Sequence, residues 1–399
     1  MPSSAADRDP LSGGVPGDAS ELFSDGCDTV FSGETPPGRI NRGLRLTLLR
    51  VLGSAPLRVL GRRRRDSAGP VRPPALGTVA SMLGDLGVRC AVLSDRVTVA
   101  WPSVRGEFLI IRDNGGLHLV FRGRLRGRTG VEQLPVLQDA LALGGERSLA
   151  VCFYPAVAAD ATLSVRFHTA VCVDAGITDD QLHVFLERAL VLVLSGCLTL
   201  IAELPALAGP RVDHPELLRA DAVEATQPVE GMVVPPVPVT SDDVSPDVPE
   251  PLDMYRLRLI LERLRADVQP HPRFRALALT VDGVDVHVTV DGSGTAPTGD
   301  LIVMSRWEVP TTRTATDVFG EAALACAAFD RRCPTVNVRA ALVEGASGAG
   351  GERVMVCAVV LFPVSPGASD AQLVAALDCG ITGVVEAVTV VREVLTGCG

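Results

Sequence analysis

Chemistry in this chain has to come from a short inventory of side chains. There are ten cysteines, at positions 27, 90, 152, 172, 197, 326, 333, 357, 379 and 398, six histidines, and no lysine among the 37 basic residues. Without lysine there is no P-loop ammonium for nucleotide phosphates, no Schiff base and no lysine general base. The cysteines form no Cys-x-x-Cys pair, and most stand in apolar runs, where a free thiol packs as a small hydrophobe. His118, His168, His183, His214, His271 and His287 show neither His-x-x-His nor His-Glu-x-x-His spacing, and none stands at a finger-like distance from a cysteine. Cys326 and Cys333, seven apart around a helix end, read as buried thiols. The glycine-rich stretch "DGSGTAPTGD", residues 291–300, could cradle a phosphate, but it joins two strand-like runs and opens no helix, so a hairpin loop is expected. Asp179 and Asp180 could be a carboxylate pair for acid–base work; adjacent helical positions do not face one another, and helix capping accounts for them. The expectation is a chain with no catalytic residue, no cofactor and no metal.

The two aspartates direct attention to the elements around them. Residues 176–182 read "GITDDQL" and residues 367–373 read "GASDAQL", identical at four of seven positions. In each, a hydroxyl residue, Thr178 or Ser369, is placed to cap a helix, and Asp179 or Asp370 suits the positive end of the helix dipole. Leu182 and Leu373 then open an apolar stripe at helical spacing, continued by Phe185, Leu186, Ala189, Leu190 and Val193 in one copy and by Ala376, Leu377, Gly380, Ile381 and Val384 in the other. The same 191-residue offset lays Leu163, Val165 and Phe167 on Val354, Val356 and Ala358; a 187-residue offset lays Leu149, Val151 and Phe153 on Val336, Val338 and Ala340. A tandem duplication follows from that overlay.

Each half has the same expected order. In the first, a helix at 76–86 precedes strands at 96–101, 107–111 and 117–121, with Asp113-Asn114-Gly115-Gly116 as hairpin chemistry between the last two. A helix at 131–143 closed by Gly144-Gly145, strands at 148–154 and 162–173, and the helix after Thr178 complete it. In the strand at 162–173, Arg166 and His168 point away from the apolar face. The second half shows a helix at 252–264, strands near 284–290 and 301–304, and a helix at 316–329. The fold class is therefore α+β: two tandem α-β-β-β-α-β-β-α domains, 72–208 and 252–396, each an antiparallel sheet covered by helices.

This element order, "VASMLGDLGVRC" at 79–90 leading into the hairpin, and the paired helix entrances resemble the YbjN-type domain, which is similar in fold to chaperones of type III secretion systems. The resemblance spans most of 75–205 and, more loosely, 252–395. Where such domains often carry an Asn-rich junction between the second helix and fourth strand, this chain has Gly144-Gly145-Glu146-Arg147 and Asp330-Arg331-Arg332. The resemblance implies a non-enzymatic cytoplasmic protein, regulatory or chaperone-like, with no catalytic residues to transfer; the mechanism expected of such a protein is docking of a partner segment along a sheet edge or in a groove between helices.

Outside the two domains, composition changes sharply. Residues 1–38 read as a disordered tail rich in Ser, Gly, Pro and Asp, without a basic or apolar leader, and the longest apolar run, Ala189–Leu194, is too short to span a bilayer. A reduced, cytoplasmic protein is expected. Residues 39–71 form a basic arm; its 39–65 portion holds nine arginines and no acidic residue, with Arg62, Arg63, Arg64 and Arg65 as its densest run. Such an arm suits an anionic membrane surface or an acidic segment, and suits nucleic acid poorly, because aromatics for stacking make up only 4% of the chain. Residues 209–251, with nine prolines and nine acidic residues, read as an extended linker that could mask the arm. Two domains in one chain could also pack on each other as a pseudo-dimer.

Overall fold

The computed structural model describes residues 70–146, 150–158, 160–209, 249–265, 267–271, 275–290, 299–310, 313–343, 352–365 and 367–397. The tail, Arg62 to Arg65 and nearly all of the acidic linker lie outside these.

Two antiparallel sheets are built in the same strand order. The first half runs α1 (Leu76–Asp85), β1 (Cys90–Val92), β2 (Arg96–Ala100), β3 (Val104–Asp113), β4 (Gly116–Leu125), β5 (Thr129–Gly130), α2 (Leu134–Glu146), β6 (Cys152–Val157), β7 (Thr162–Cys172) and α3 (Asp179–Glu203). The second runs α4 (Met254–Leu264), β8 (Gln269–Pro270), β9 (Ala276–Val281), β10 (Val284–Val290), β11 (Asp300–Glu308), α5 (Ala315–Arg332), β12 (Asn337–Val343), β13 (Arg353–Pro363) and α6 (Asp370–Thr396). The first sheet is ordered β1-β2-β3-β4-β7 with β6 and β5 on β7; the second is ordered β8-β9-β10-β11-β13-β12. The architecture is mixed α+β, as the periodicity implies.

Several boundaries differ from expectation for identifiable reasons. Strand β9 is absent from the sequence reading, although Asp282 and Gly283, both left-handed at φ 51° and 73°, make a two-residue turn to β10 like that of Asn114 and Gly115 between β3 and β4. Helix α2 runs through Gly144 and Gly145 to Glu146, since a glycine inside a helix costs about 1 kcal/mol against alanine without ending it. Phe153 pairs with Phe167 and Val338 with Ala358, so Phe153 stands where Val338 does, two residues from the overlay above. An even displacement keeps side chains on the same face. Helices α3 and α6, of 25 and 27 residues, are by length and composition long and apolar enough to cross a membrane. The run Ala189–Leu194 understates this because small residues such as Ser195, Gly196 and Cys197 extend the helix without breaking its apolar stripe. Here both stripes are laid on the sheets: Leu182, Leu186, Leu190 and Val193 in α3, and Leu373, Leu377, Ile381 and Val384 in α6, are all buried.

The arrangement departs from one covered face per sheet. On the first sheet, Leu119, Phe121, Leu163, Val165 and Phe167 form the expected apolar face, with Phe108 and Phe121 stacked 4.2 Å apart. The reverse face is buried too: His118 and His168 are 2% and 1% exposed. That face meets the second half, and a single apolar core runs from Leu76 to Val391 through both sheets. Arg188 of α3 correspondingly reaches Asp300 at the start of β11.

Candidate functional site

The two helix entrances meet at the centre of the molecule. Thr178 Oγ1 accepts the Gln181 N–H at 3.1 Å and Gln181 Oε1 accepts the Thr178 N–H at 2.9 Å; Ser369 and Gln372 repeat this at 3.2 and 3.0 Å. Both are capping boxes, which satisfy helix N–H groups that would otherwise be orphaned. The amide ends of the glutamines then cross over. Gln181 Nε2 donates to the Gly367 carbonyl at 2.8 Å, Gln372 Nε2 donates to the Gly176 carbonyl at 3.0 Å, and the two side chains bond each other, Gln372 Nε2 to Gln181 Oε1 at 2.9 Å. All four residues are at most 1% exposed, so a fully buried polar network has every glutamine donor and acceptor used.

The backbone around them is matched in kind. Gly176 and Gly367 have φ of +83° and +96°, and a Cβ at Gly176 would fall 2.8 Å from Val71 Cγ1 and 2.9 Å from the Arg72 carbonyl. Each following residue makes a two-way bridge to the segment before its own first helix: Ile177 with Arg72, and Ala368 with Glu250.

Of the residues singled out by sequence, Thr178 and Ser369 cap, Leu182 and Leu373 are buried, and Asp179 and Asp370 lie in the first helical turns. Asp370 also pairs with Arg256 of α4 at 2.6 Å. Arg62 to Arg65 lie outside the described residues. Gln181 and Gln372 are functional positions that the helix-entrance reading misses, though both stand identical in the two quoted heptads and three positions after a hydroxyl residue, the capping-box spacing. Thr178→Ala is expected to destabilise the protein by about 1–2 kcal/mol, at the upper end of cap losses because the site is dry; urea unfolding followed by circular dichroism checks it.

Between the two halves the fold also gathers side chains that sequence spacing keeps apart. Cys152, His168 and Asp330 place ligand-type atoms within 4.8 Å of one another, as do His118, Cys172 and Cys379. In the first set, Asp330 Oδ2 accepts the Cys152 thiol at 3.0 Å, its Oδ1 accepts the Val338 N–H at 3.1 Å, and His168 Nε2 lies 3.2 Å from the Val336 carbonyl. Burial raises the Asp330 carboxyl well above its usual range and the Cys152 thiol likewise, and holds His168 down at about 4. In the second set, the Cys379–Cys172 hydrogen bond favours the ionised form of Cys172, helped by the Asp174 N–H, and raises Cys379. Burial holds His118 at about 4. Its Nδ1 is buried with no hydrogen-bond partner among the described residues.

The β3–β4 hairpin completes the junction. Asp113 Oδ2 accepts from Thr335 Oγ1 at 2.7 Å and from Cys333 Sγ at 3.2 Å, while Asn114 Nδ2 donates to Thr335 Oγ1 at 2.9 Å. The tip predicted from Asp-Asn-Gly-Gly is thus also a clasp on the α5–β12 corner.

No protein-family model and no curated protein matches the chain. Among solved structures, YbjN from E. coli, a suggested transcription regulator, aligns over 96% of its own chain and 39% of this one, at 17% identity and a TM-score of 0.27.

Proposed function

We propose that the chain is a tandem duplication of one YbjN-like α+β domain, its two copies joined as an intramolecular pseudo-dimer, and that it works as a non-enzymatic protein-interaction module of the cytoplasm, regulatory or chaperone-like. The observation that carries this is the reciprocity at the helix entrances. Gln181 bonds Gly367 while Gln372 bonds Gly176, at positions 191 apart in both cases, which is the pattern of an isologous two-fold contact. An interface of that kind ordinarily forms between two chains. Here one chain supplies both sides, leaving its outward helices for a partner.

The outward surface best suited to a partner is α4 beside α6. Arg256 of α4 and Arg265 immediately after it reach Asp370 and Asp378 of α6, so the two helices run alongside each other. On successive turns α4 shows Tyr255, 71% exposed, and Leu259, and between the two aspartates α6 shows Val374. A solvent-facing tyrosine with apolar neighbours is the composition of an interface anchor. Tyr255→Asp combined with Leu259→Asp is expected to leave melting within about 0.5 kcal/mol of wild type, since both sites are at the surface. Light scattering should show a monomer for both proteins, and capture of the native partner from its own cytoplasm should be lost only in the variant. Equal capture by both proteins would move the docking surface elsewhere, and a wild-type dimer held by the same entrances would end the pseudo-dimer reading.

A further inference from the structure

The pseudo-two-fold relation makes one junction informative. Cys379 of α6 stands 191 residues after Arg188 of α3, and Cys172 stands 191 before Pro363. In register, His118 lies opposite Cys172 and Asp300 lies opposite Pro363. The place where Arg188 binds Asp300, tying α3 to the second sheet, is therefore occupied on the other side by Cys379, His118 and Cys172. An ion pair holds one helix to the sheet of the other copy. A different chemistry is available to hold the second.

We propose that His118, Cys172 and Cys379 form a transition-metal site, best matched to zinc, that ties α6 to the reverse face of the first sheet. Two thiols and an imidazole are a recognised zinc donor set, borderline-soft and selective against calcium or magnesium. With Zn–S near about 2.3 Å and Zn–N near about 2.0 Å, tetrahedral geometry asks for ligand separations of about 3.5–3.8 Å. The three atoms already lie within 4.8 Å of one another, so closure requires about 1 Å of movement or less. His118 and Cys172 face each other across neighbouring strands, a fixed base onto which α6 brings the third ligand. Gly116 permits that approach: a Cβ there would lie 2.2 Å from Cys379 Sγ.

Three further features suit a metal. The His118 ring takes a backbone contact at Gly116, yet its Nδ1 is a buried nitrogen without a hydrogen-bond partner among the described residues, a deficit that a bound ion would remove. Cys172 receives the Asp174 backbone N–H, the kind of outer-shell donor that steadies a metal thiolate. The carboxylates of Asp113 and Asp174 lie close enough for their charge to act on His118, which favours a cation in the pocket, and the fourth position is left to water. Binding would exchange the two thiol protons for Zn²⁺, releasing both to solvent. In the Cys152, His168 and Asp330 set the His168 Nδ1 is likewise unpartnered among the described residues, but Asp330 and the His168 Nε2 are already committed to Cys152, Val338 and Val336, which leaves that set less ready for an ion.

The test uses the full chain, reduced and stripped of metal, titrated with Zn²⁺ alone in competition with a chromophoric chelator. One zinc per chain is expected, with affinity at least about 100-fold lower in Cys379→Ser and in His118→Gln, since loss of an inner ligand exceeds the loss of an outer-shell partner. Cys152→Ser should bind as wild type. Co²⁺ added to the wild-type chain should give an intense tetrahedral spectrum with thiolate charge-transfer bands, a readout that stands even if a variant fails to fold. The proposal is overturned by a wild type that takes up no stoichiometric zinc, by a Cys379→Ser variant that binds unchanged, by a Co²⁺ spectrum without thiolate bands, or by a Cys172–Cys379 disulfide that persists in the reduced preparation.

Discussion

Gln181→Ala should destabilise the whole molecule by roughly 3–5 kcal/mol, a large effect for removing one uncharged side chain. The substitution orphans the Thr178 N–H and the Gly367 carbonyl and strips one partner from the Gln372 amide, all in a region at most 1% exposed. Each buried polar group left unpaired costs about 1–3 kcal/mol. Gln372→Ala should act alike, through the Ser369 N–H and the Gly176 carbonyl. The double variant separates a network from two independent caps: a double-mutant cycle should show coupling of at least about 1 kcal/mol, because the first substitution has already spoiled what the second removes. Equilibrium urea unfolding of the four proteins measures it. Single losses below about 1 kcal/mol, or strict additivity, would reduce the pair to ordinary caps.

Acid should be the second strong perturbant, and Asp330→Asn should make the protein more acid-sensitive. In the metal-free protein, His118 and His168 are held at about 4 by burial, against 6.5 for an ordinary histidine. Between those values the unfolded chain binds both protons and the native chain does not, so stability falls as pH falls, by roughly 3 kcal/mol per histidine across the whole window. Asp330 works against this. Its carboxyl, raised by burial from 3.8, holds its proton more tightly in the native than in the unfolded state, so acidification through the same region favours folding. Wild type shows the difference of these opposing slopes. The asparagine variant, which keeps a carbonyl for the Val338 N–H, should lose stability more steeply between pH 6.5 and 4.5, by up to about 1.4 kcal/mol per pH unit. His287, also held near 4, contributes equally to both proteins. Denaturant unfolding across that range decides, and parallel pH profiles would refute the assignment of Asp330.

The elements of this fold were legible wherever periodicity is local. The stripes after Thr178 and Ser369, the alternation in 162–173 and the Asn-Gly turn each need only a few consecutive residues to be read. Strand β9 was equally available, since Asp282-Gly283 separates two alternating runs, but the run "ALALTV" is also compatible with a short helix. What could not be read was the reverse face of the first sheet. Alternation assigns His118 and His168 to the side away from the apolar face, and in a single domain that side meets water. Only the second half, more than 150 residues later, makes it interior. The same distance hid both gathered sets: Cys379 is 207 residues from Cys172, and Asp330 is 178 from Cys152, far beyond any finger-like spacing. Gln181 and Gln372 were visible as repeated letters, yet a capping box accounts for only one end of each side chain. The amide that crosses between the two halves is a property of two sites taken together.

The buried reverse face also has a consequence for synthesis. A ribosome delivers the first sheet and its helices complete once residue 209 has emerged, with His118, His168 and Cys152 on a surface whose cover is still unmade. Helix α6 ends at Thr396. At about 5–20 residues per second the interval is roughly 10–40 s, far longer than the collapse of a small domain. For that period the nascent chain presents an apolar and thiol-bearing face to the cell, and the order of its two halves makes the first wait for the second.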